Sequence, residues 1–266
     1  IPLLLIPQIL LCGLVVSFSD LAPKSTTGNV PLIGDVIPSR WSYEALAVTS
    51  FTDNKYEKPF FELDKQKYEN QYYYAGFLYE LESQLETMQD EKKKGKEINP
   101  SHLRVIHTNL PVLTEYCGLE PYQGDDSYES LRQYLNKAGD ILSDRGNHAT
   151  MKKDAKVASF IRQEGKDALL KLKRENFNLK LEDCVNGVDQ LRRLDVVDDH
   201  IVARMGIIYL TPRNHWGRAP FYSSEKIIGS LSVKTLWFNM SIILLMGIVA
   251  VVLLLTDCPG KYLRKD

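Results

Sequence analysis

The stretch LWFNMSIILLMGIVAVVLLLT, residues 236–256, decides how the rest of the chain is interpreted. Of its 21 residues, 17 are hydrophobic and none is charged. A helix that crosses a bilayer needs about 20 apolar residues, because its backbone groups can find hydrogen-bond partners only within the helix. Trp237 and Phe238 lie at one end and Tyr262 beyond the other, as expected for aromatic side chains at the two membrane interfaces. The pattern predicts a spanning helix within residues 229–258.

A second apolar segment, IPLLLIPQILLCGLVVSF, occupies residues 1–18, where 13 residues are hydrophobic and none is charged. It has neither a Met nor a basic region at its start, so it does not resemble a signal peptide. We expect residues 1–19 to be the end of a spanning helix, in a C-terminal fragment of a longer multi-pass protein. Pro7 and Gln8 would need neighbouring helices to cover the freed backbone groups and the amide.

The polar part of the chain between these two segments is nearly neutral. The whole chain has 33 Lys and Arg against 34 Asp and Glu, so the balance does not favour nucleic acid as a partner. Lys261, Arg264 and Lys265 follow the last apolar segment, and the positive-inside rule then predicts a cytoplasmic tail at 259–266. Residues 20–235 are accordingly expected to be extracytoplasmic, in a multi-pass protein of the cell (inner) membrane.

Three apolar runs in the polar part have the spacing of helices that pack along a partner. They are Tyr74, Leu78, Leu81, Leu85 and Met88; Tyr128, Leu131, Leu135, Ala138 and Leu142; and Ala158, Ile161, Gly165, Ala168 and Leu172. We therefore predict a mainly α protein in which two transmembrane helices flank an extracytoplasmic, coiled-coil-like helical domain over 61–228. Its simplest form is a hairpin or small bundle with the runs 63–97 and 150–183 antiparallel. Three separate amphipathic helices on a mixed core remain the alternative.

The segments outside these runs give weaker signals. Residues 98–126 and 143–149 have the appearance of loops or short helices, and 201–212 fits either a strand or the end of a buried helix. Within 20–60, prolines and glycines break any long helix, but a short helix is plausible between Pro38 and Asp53 with Ser39 as its N-cap. Asn239 and Ser241, near the start of the last apolar segment, are expected to bond local backbone or a neighbouring helix.

No motif for catalysis or for a cofactor stands out in the sequence. The phosphate-binding loop, the serine nucleophile elbow, the zinc-protease motif and the CxxC pair are all missing from it. We therefore expect no enzyme activity, no cofactor and no metal site in this chain. Cys117 and Cys184 could form a disulfide in an oxidising compartment, and two buried thiols are the equal alternative because pairing cannot be deduced from sequence.

The segments at both ends resemble a known family. LIPQILLCGLVVSF (5–18) and PLIGDVIPSRWSYEALAVTSF (31–51) are similar to the fifth spanning helix and the re-entrant region of ABC-2 type permeases of the white-type (G) subfamily. RAPFYSSEKIIGSLSVKTLWFN (218–239) is similar to members with an enlarged outer domain. The resemblance covers about 120 residues, over 1–60 and 205–266, and is weak in the helical middle.

The resemblance implies the permease part of an ATP-driven exporter. Such permeases work as dimers in the membrane lipid, and ATP is bound by a cassette domain or subunit elsewhere. It implies a re-entrant or juxtamembrane segment at 20–60, and pathway-lining positions on the first helix near Ile6, Gln8, Ile9 and Cys12. The re-entrant motif falls on Arg40, Trp41 and Glu44.

Arg40 and Glu44 are one helical turn apart, so they can pair and fix this segment over an outer exit. Alternatively, they only cap and solubilise a helix beside the membrane. A different class of function is also open: a membrane-anchored sensor or adaptor whose helical outer domain binds a partner or ligand. That hypothesis needs no ATP-binding cassette.

Overall fold

The computed structural model describes residues 2–13, 18, 25–188, 190 and 192–256. The chain is mainly helical, as predicted, and its sheet content is two separate antiparallel hairpins in the described part. It divides into two compact units, one made of Ile1–Pro23, Asn29–Ser50 and Pro212–Asp266 and the other of Lys24–Gly28 and Phe51–Thr211. We call them the terminal unit and the central unit.

Three long helical segments form the body of the central unit. Its elements are α4 (Phe61–Tyr72), a π-helical segment (Tyr73–Leu78), α5 (Tyr79–Lys93), α6 (Pro100–Cys117), α7 (Tyr128–Glu164), α8 (Lys166–Asn176), α9 (Leu179–Asn186), β1 (Leu194–Val197), β2 (His200–Ala203) and a 3-10 turn (Ile207–Tyr209). α4, the π segment and α5 form one continuous helix, which packs against α6 and α7. The central unit is therefore a helical bundle with a small β-hairpin.

The continuous helix formed by α4, the π segment and α5 runs antiparallel to α7. Three contacts along the two helices establish this direction. Asp64 pairs with Lys153 near one end, the Asn70 amide donates to the Leu142 carbonyl at 2.7 Å, and Arg132 donates to Glu86 near the other end. The core between them is made of fully buried leucines from the first two apolar runs, including Leu81, Leu85, Leu131, Leu135 and Leu142. The predicted partner of this helix was the run 150–183, whereas the antiparallel partner in the structure is the helix over 128–164.

The third apolar run does not form a packing seam. Ala158 and Gly165 are exposed, and α7 ends at Glu164, so Ala168 and Leu172 belong to the separate helix α8. The prediction of a helix over 150–183 was wrong because Gly165, at φ +88°, terminates α7. Small residues at helical spacing produced the apparent seam, although they bury too little apolar area to hold a partner helix.

The π segment changes which residues of the continuous helix α4–α5 are buried. A π turn carries one extra residue, so the side chains before it are rotated relative to those after it. Tyr74, the first member of the first apolar run, is 47% exposed, whereas Tyr73 is buried and stacks on Tyr116 with ring centroids 3.6 Å apart. Leu78 and the three later members of the run are buried as predicted.

Residues 98–126 and 143–149, which were expected to be loops or short helices, contain the 18-residue α6 and the middle of the 37-residue α7. Asn99 caps α6 by accepting a hydrogen bond from the Ser101 amide, Pro100 begins the helix, and Gly118 in the left-handed region ends it. These signals are present in the sequence, and Pro111 lies inside the helix that they bound. α7 is 37 residues long and contains Gly146. Asn70 approaches α7 closely at this position, and the glycine leaves room for its side chain.

The hairpin β1–β2 resolves the ambiguity at 201–212. Residues 200–203 are a strand paired with 194–197, and a 3-10 turn follows. Asp198 and Asp199 form the hairpin turn with positive φ angles. Asn109 on α6 fixes the hairpin, since its side chain accepts from the Ile201 amide at 2.9 Å and donates to the Asp199 carbonyl at 2.7 Å.

The terminal unit contains shorter helices and one long apolar helix. Its elements are α1 (Pro2–Leu10), α2 (Leu32–Asp35), α3 (Pro38–Thr52, which continues two residues into the central unit), β3 (Glu225–Ile228), β4 (Leu231–Lys234) and α10 (Thr235–Leu255). α3 begins at Pro38, and Ser39 is not its N-cap. The Ser39 hydroxyl instead donates to the Gln8 carbonyl at 2.8 Å.

α10 is long enough and apolar enough to cross a membrane, judged by length and composition alone. It has 21 residues and most of its side chains are exposed. Among the described residues no second helix meets this test, and α1 has nine described residues, so two spanning helices are not shown. Residues 14–17 and 19–24, Cys258 and the predicted tail at 259–266, which includes Tyr262, lie outside the described residues.

Candidate functional site

A buried carboxylate on α3 is the centre of the terminal unit's polar contacts. Glu44 is 0% exposed, and its Oε1 accepts a hydrogen bond from Lys226 Nζ at 2.7 Å. Its Oε2 accepts from Asn239 Nδ2 at 2.9 Å and lies 3.7 Å from Arg40 Nη2. We call Arg40, Glu44, Lys226 and Asn239 the buried charge cluster. Burying such groups is favourable only when each charge is paired and hydrogen-bonded.

Lys226 reaches Glu44 from the hairpin that precedes α10. β3 and β4 pair in an antiparallel register that places Lys226 opposite Val233, and Lys226 is 1% exposed. Thr235, at the first position of α10, is also buried and donates to the Ser223 carbonyl. The hairpin and the start of α10 therefore hold the ammonium in place.

Arg40 is the second cation of the buried charge cluster, after Lys226. Its guanidinium carbon lies 3.8 Å from the centroid of the Trp41 ring, a cation–π contact, and Nη1 lies 3.9 Å from Asp35 Oδ1. Arg40 is 2% exposed, and its Nε and Nη1 have no hydrogen-bond acceptor in the described part of the chain. The Trp41 indole donates to the Asp35 carbonyl at 2.9 Å, which fixes the ring under the guanidinium.

The electrostatics of the cluster follow from this uneven pairing. Burial raises the pKa of Glu44, but Lys226 and Arg40 lower it by more, so the carboxyl stays ionised. Burial lowers the pKa of Lys226 and Arg40 adds to that effect, although Glu44 opposes it. The half-buried Asp35 has a raised pKa because burial outweighs its neighbours Arg40 and Arg218. Glu44 thus pairs with both buried cations, and Asp35 lies within ion-pair distance of Arg40 as well.

Asn239 joins α3 to the first turn of α10. Its Nδ2 donates both to Glu44 and to the Trp41 carbonyl at 3.0 Å, and Trp41 also packs on Phe238 with ring centroids 6.0 Å apart. The expectation that Asn239 bonds a neighbouring helix is confirmed. Ser241 bonds local backbone, since its hydroxyl donates to the Trp237 carbonyl.

The structure brings together the residues predicted for the re-entrant motif. Arg40 and Glu44 form the expected ion pair, and both are buried, so they do not solubilise the helix surface. Sequence reasoning missed Lys226, which lies 182 positions from its partner. The available signal was a lysine between Glu225 and Ile227 in a short strand. The role of the motif in transport stays a prediction.

The predicted pathway positions lie on and just after α1. Gln8 is half-buried, and Ile6 and Ile9 are exposed. Cys12 is buried, and its thiol donates to the Ile9 carbonyl at 3.1 Å. None of these side chains joins the buried charge cluster, so their assignment to a pathway rests on the resemblance alone.

The disulfide between Cys117 and Cys184 is not formed. Cys117 is a buried thiol at the end of α6, where Arg145 donates to its carbonyl, and burial raises the pKa of the thiol. Cys184 is exposed on α9. Spacing in the sequence does not reveal which of the two positions is buried.

The central unit has a second polar site, a cavity of about 300 Å³. We call it the acidic cavity; it is lined by Tyr56, Glu57, Phe60, Asp64, Lys153, Val157, Leu169, Lys173, Phe177, Glu182 and Tyr209. Burial raises the pKa of Glu57 to about 7, and Asp64 and Glu182 contribute to the increase. Sequence reasoning did not identify this site because its residues come from five separate segments.

The described residues contain no group of three or more His, Cys, Asp or Glu side chains arranged to hold a metal ion. Comparison with protein families, with characterised proteins and with solved structures finds no match to this chain.

Proposed function

We propose that the chain is the permease part of an ATP-driven exporter that moves its substrate across a membrane with an ATP-binding cassette supplied by another domain or subunit. The observation that carries the proposal is the bond from Asn239, in the first turn of the apolar helix α10, to the buried Glu44 of α3. Ionisable groups beside a membrane-length helix are expensive to bury and are kept where they serve a function.

The arrangement suits a gating contact at the end of a spanning helix. Glu44 holds α3 to both the β3–β4 hairpin and α10 through Lys226 and Asn239. If α3 moved relative to α10, a buried carboxylate would lose its partners, so the closed position is strongly preferred. Arg40, with two buried nitrogens lacking acceptors, supplies a second cation for a rearranged state. The proposal includes a dimer of permeases in the lipid, as the resemblance implies.

The proposal is tested with Glu44→Gln in the full-length protein together with its cassette, with ATP hydrolysis and export measured in the same vesicles. Loss of the charge should lower export per ATP by at least about tenfold, because one charge-assisted pair holds α3 to the hairpin. Ser42→Ala, an exposed position on the same helix, is the control and should leave the ratio unchanged. An unaltered ratio in folded Glu44→Gln protein would reject the gating role.

We also propose a membrane topology in which residues 20–235 are extracytoplasmic and the C-terminus is cytoplasmic. An epitope inserted after Gly95, in the exposed lysine-rich turn after α5, tests it. The epitope should be labelled by antibody on cells with an intact inner membrane and a permeabilised outer layer. Labelling only after the inner membrane is opened would reverse the topology.

A membrane-anchored sensor or adaptor is the second candidate function. The observation that favours it is the acidic cavity in the central unit, because Glu57 lines it without a partner of its own in the described residues. This candidate requires no cassette. Deleting the cassette would abolish the cellular activity of an exporter and leave that of a sensor intact.

A further inference from the structure

The acidic cavity contains a buried carboxyl without a partner. Glu57 is 6% exposed, and its side chain makes no hydrogen bond or ion pair with any described residue. Its backbone is fixed by Asn54, whose Oδ1 accepts from the amides of Tyr56 and Glu57 at 2.9 Å. A rigidly held acceptor that lines a cavity and has no donor among the described residues is positioned for a ligand donor.

The charges around Glu57 favour a cation. The other charged side chains that line the cavity are Asp64 on α4, Lys153 on α7, Lys173 on α8 and Glu182 on α9. Lys153 is already paired with Asp64, and at Glu57 the effects of Asp64 and Glu182 exceed those of the two lysines. A cationic ligand would therefore relieve repulsion among three carboxyls.

The remaining lining is aromatic and apolar. Tyr56 packs edge-on against Phe177 with centroids 5.9 Å apart, and Phe60 and Tyr209 line the cavity beside Glu57. The Lys173 ammonium lies 4.8 Å from the Phe177 centroid and 5.5 Å from that of Tyr56. The rings thus already accept one ammonium group by cation–π contact.

We propose that the acidic cavity binds a small organic amine, whose ammonium group pairs with Glu57 and whose apolar part lies against Phe60, Val157, Leu169 and Tyr209. The volume of about 300 Å³ is at the small end of the range for ligand sites, which limits the ligand to an aryl-alkyl or short alkyl amine. Neither an ATP-binding cassette nor a transport step enters this proposal.

Calorimetric titration of the full chain in detergent with 2-phenylethylamine at pH 8 tests the proposal. We expect saturable binding with one site per chain, and about tenfold or greater weakening in Glu57→Gln because the charged pair is lost. Glu62→Gln, an exposed carboxyl on α4, is the matched control and should bind like the parent chain. The melting temperature of Glu57→Gln, measured in parallel, establishes that the variant is folded.

Two further titrations separate this ligand class from others. 2-Phenylethanol has the same body without the charge and should bind at least about tenfold more weakly. Between pH 6 and pH 8 the affinity for the amine should rise about tenfold, because Glu57 ionises over that range while the amine stays protonated. The absence of saturable binding, equal binding of the alcohol, or unchanged binding in folded Glu57→Gln would each overturn the proposal.

Discussion

Asn239 Nδ2 donates to Glu44 Oε2 at 2.9 Å, so a side chain in the first turn of an apolar helix holds a fully buried carboxylate on another helix. The same amide also donates to the Trp41 carbonyl. One residue therefore satisfies a side chain and the backbone of α3 together. The start of α10 is defined by this polar contact as well as by its apolar sequence.

Replacing Lys226 by Met should destabilise the terminal unit by about 3 kcal/mol, because Glu44 would lose its shortest buried partner. The measurement is the thermal or urea unfolding of the full chain in detergent. Lys234→Met, at an exposed position of β4, provides the comparison and should shift unfolding by less than about 0.5 kcal/mol.

The double variant Glu44→Gln with Lys226→Met should be more stable than Lys226→Met alone, since no buried charge is then left without its partner. Strict additivity of the two single effects would show that the residues do not interact. It would contradict the arrangement of the buried charge cluster.

The stability of the central unit should fall as pH rises from about 4.5 to about 7. Glu57 has a pKa of about 7 in the folded protein, against an ordinary value of 4.5 for a glutamate, so the folded state binds more protons in this range. Above it the loss is complete and amounts to at most about 3 kcal/mol. Unfolding monitored by circular dichroism at several pH values measures the trend.

Glu57→Gln should remove most of this pH dependence and raise the stability at pH 8, while Glu62→Gln should keep the parent's profile. A Glu57→Gln profile that still falls between pH 4.5 and 7 would assign the effect to another carboxyl.

Gly146→Ala should destabilise the helical bundle by about 1 to 3 kcal/mol. An added Cβ would lie 2.8 Å from the Asn70 amide nitrogen, which is bonded to the Leu142 carbonyl, so α4 and α7 would have to separate. Gly139→Ala on the same helix meets only Leu78 at 3.4 Å, and we expect it to be neutral or to stabilise by about 0.5 kcal/mol. Urea unfolding of both variants measures the difference.

Cys117 should resist alkylation in the folded protein. The thiol is buried and burial raises its pKa, so both access and thiolate population are low. Iodoacetamide labelling followed by peptide mapping should modify Cys117 only after urea is added. A disulfide-linked peptide containing Cys117 and Cys184 under non-reducing conditions would contradict the structure.

The sequence predicts α10 and the core of the bundle well, because both depend on local periodicity. Leu81, Leu85, Leu131 and Leu135 are buried where the apolar spacing predicts. The prediction from the third run was wrong. Ala158 and Gly165 have helical spacing, but such small side chains bury almost no apolar area.

Contacts between distant positions could not be predicted in the same way. Arg40 and Glu44 are one turn apart, so their pairing follows from helix geometry, whereas Lys226 and Asn239 reach Glu44 through the fold. The acidic cavity is a further example, since the pKa of Glu57 is raised by its burial in the fold and then by Asp64 and Glu182. A carboxylate in sequence carries no sign of its burial.

The π segment at 73–78 contains one residue more than a regular α-helical turn would. The lining of the acidic cavity depends on this extra residue. Deleting one residue there would restore a regular α-helical repeat and turn α4 about 100° relative to α5. Asp64 would then leave Lys153, and one wall of the cavity would face away from Glu57. The length of one helical turn thus sets the position of Asp64, nine residues upstream, in the wall of the acidic cavity.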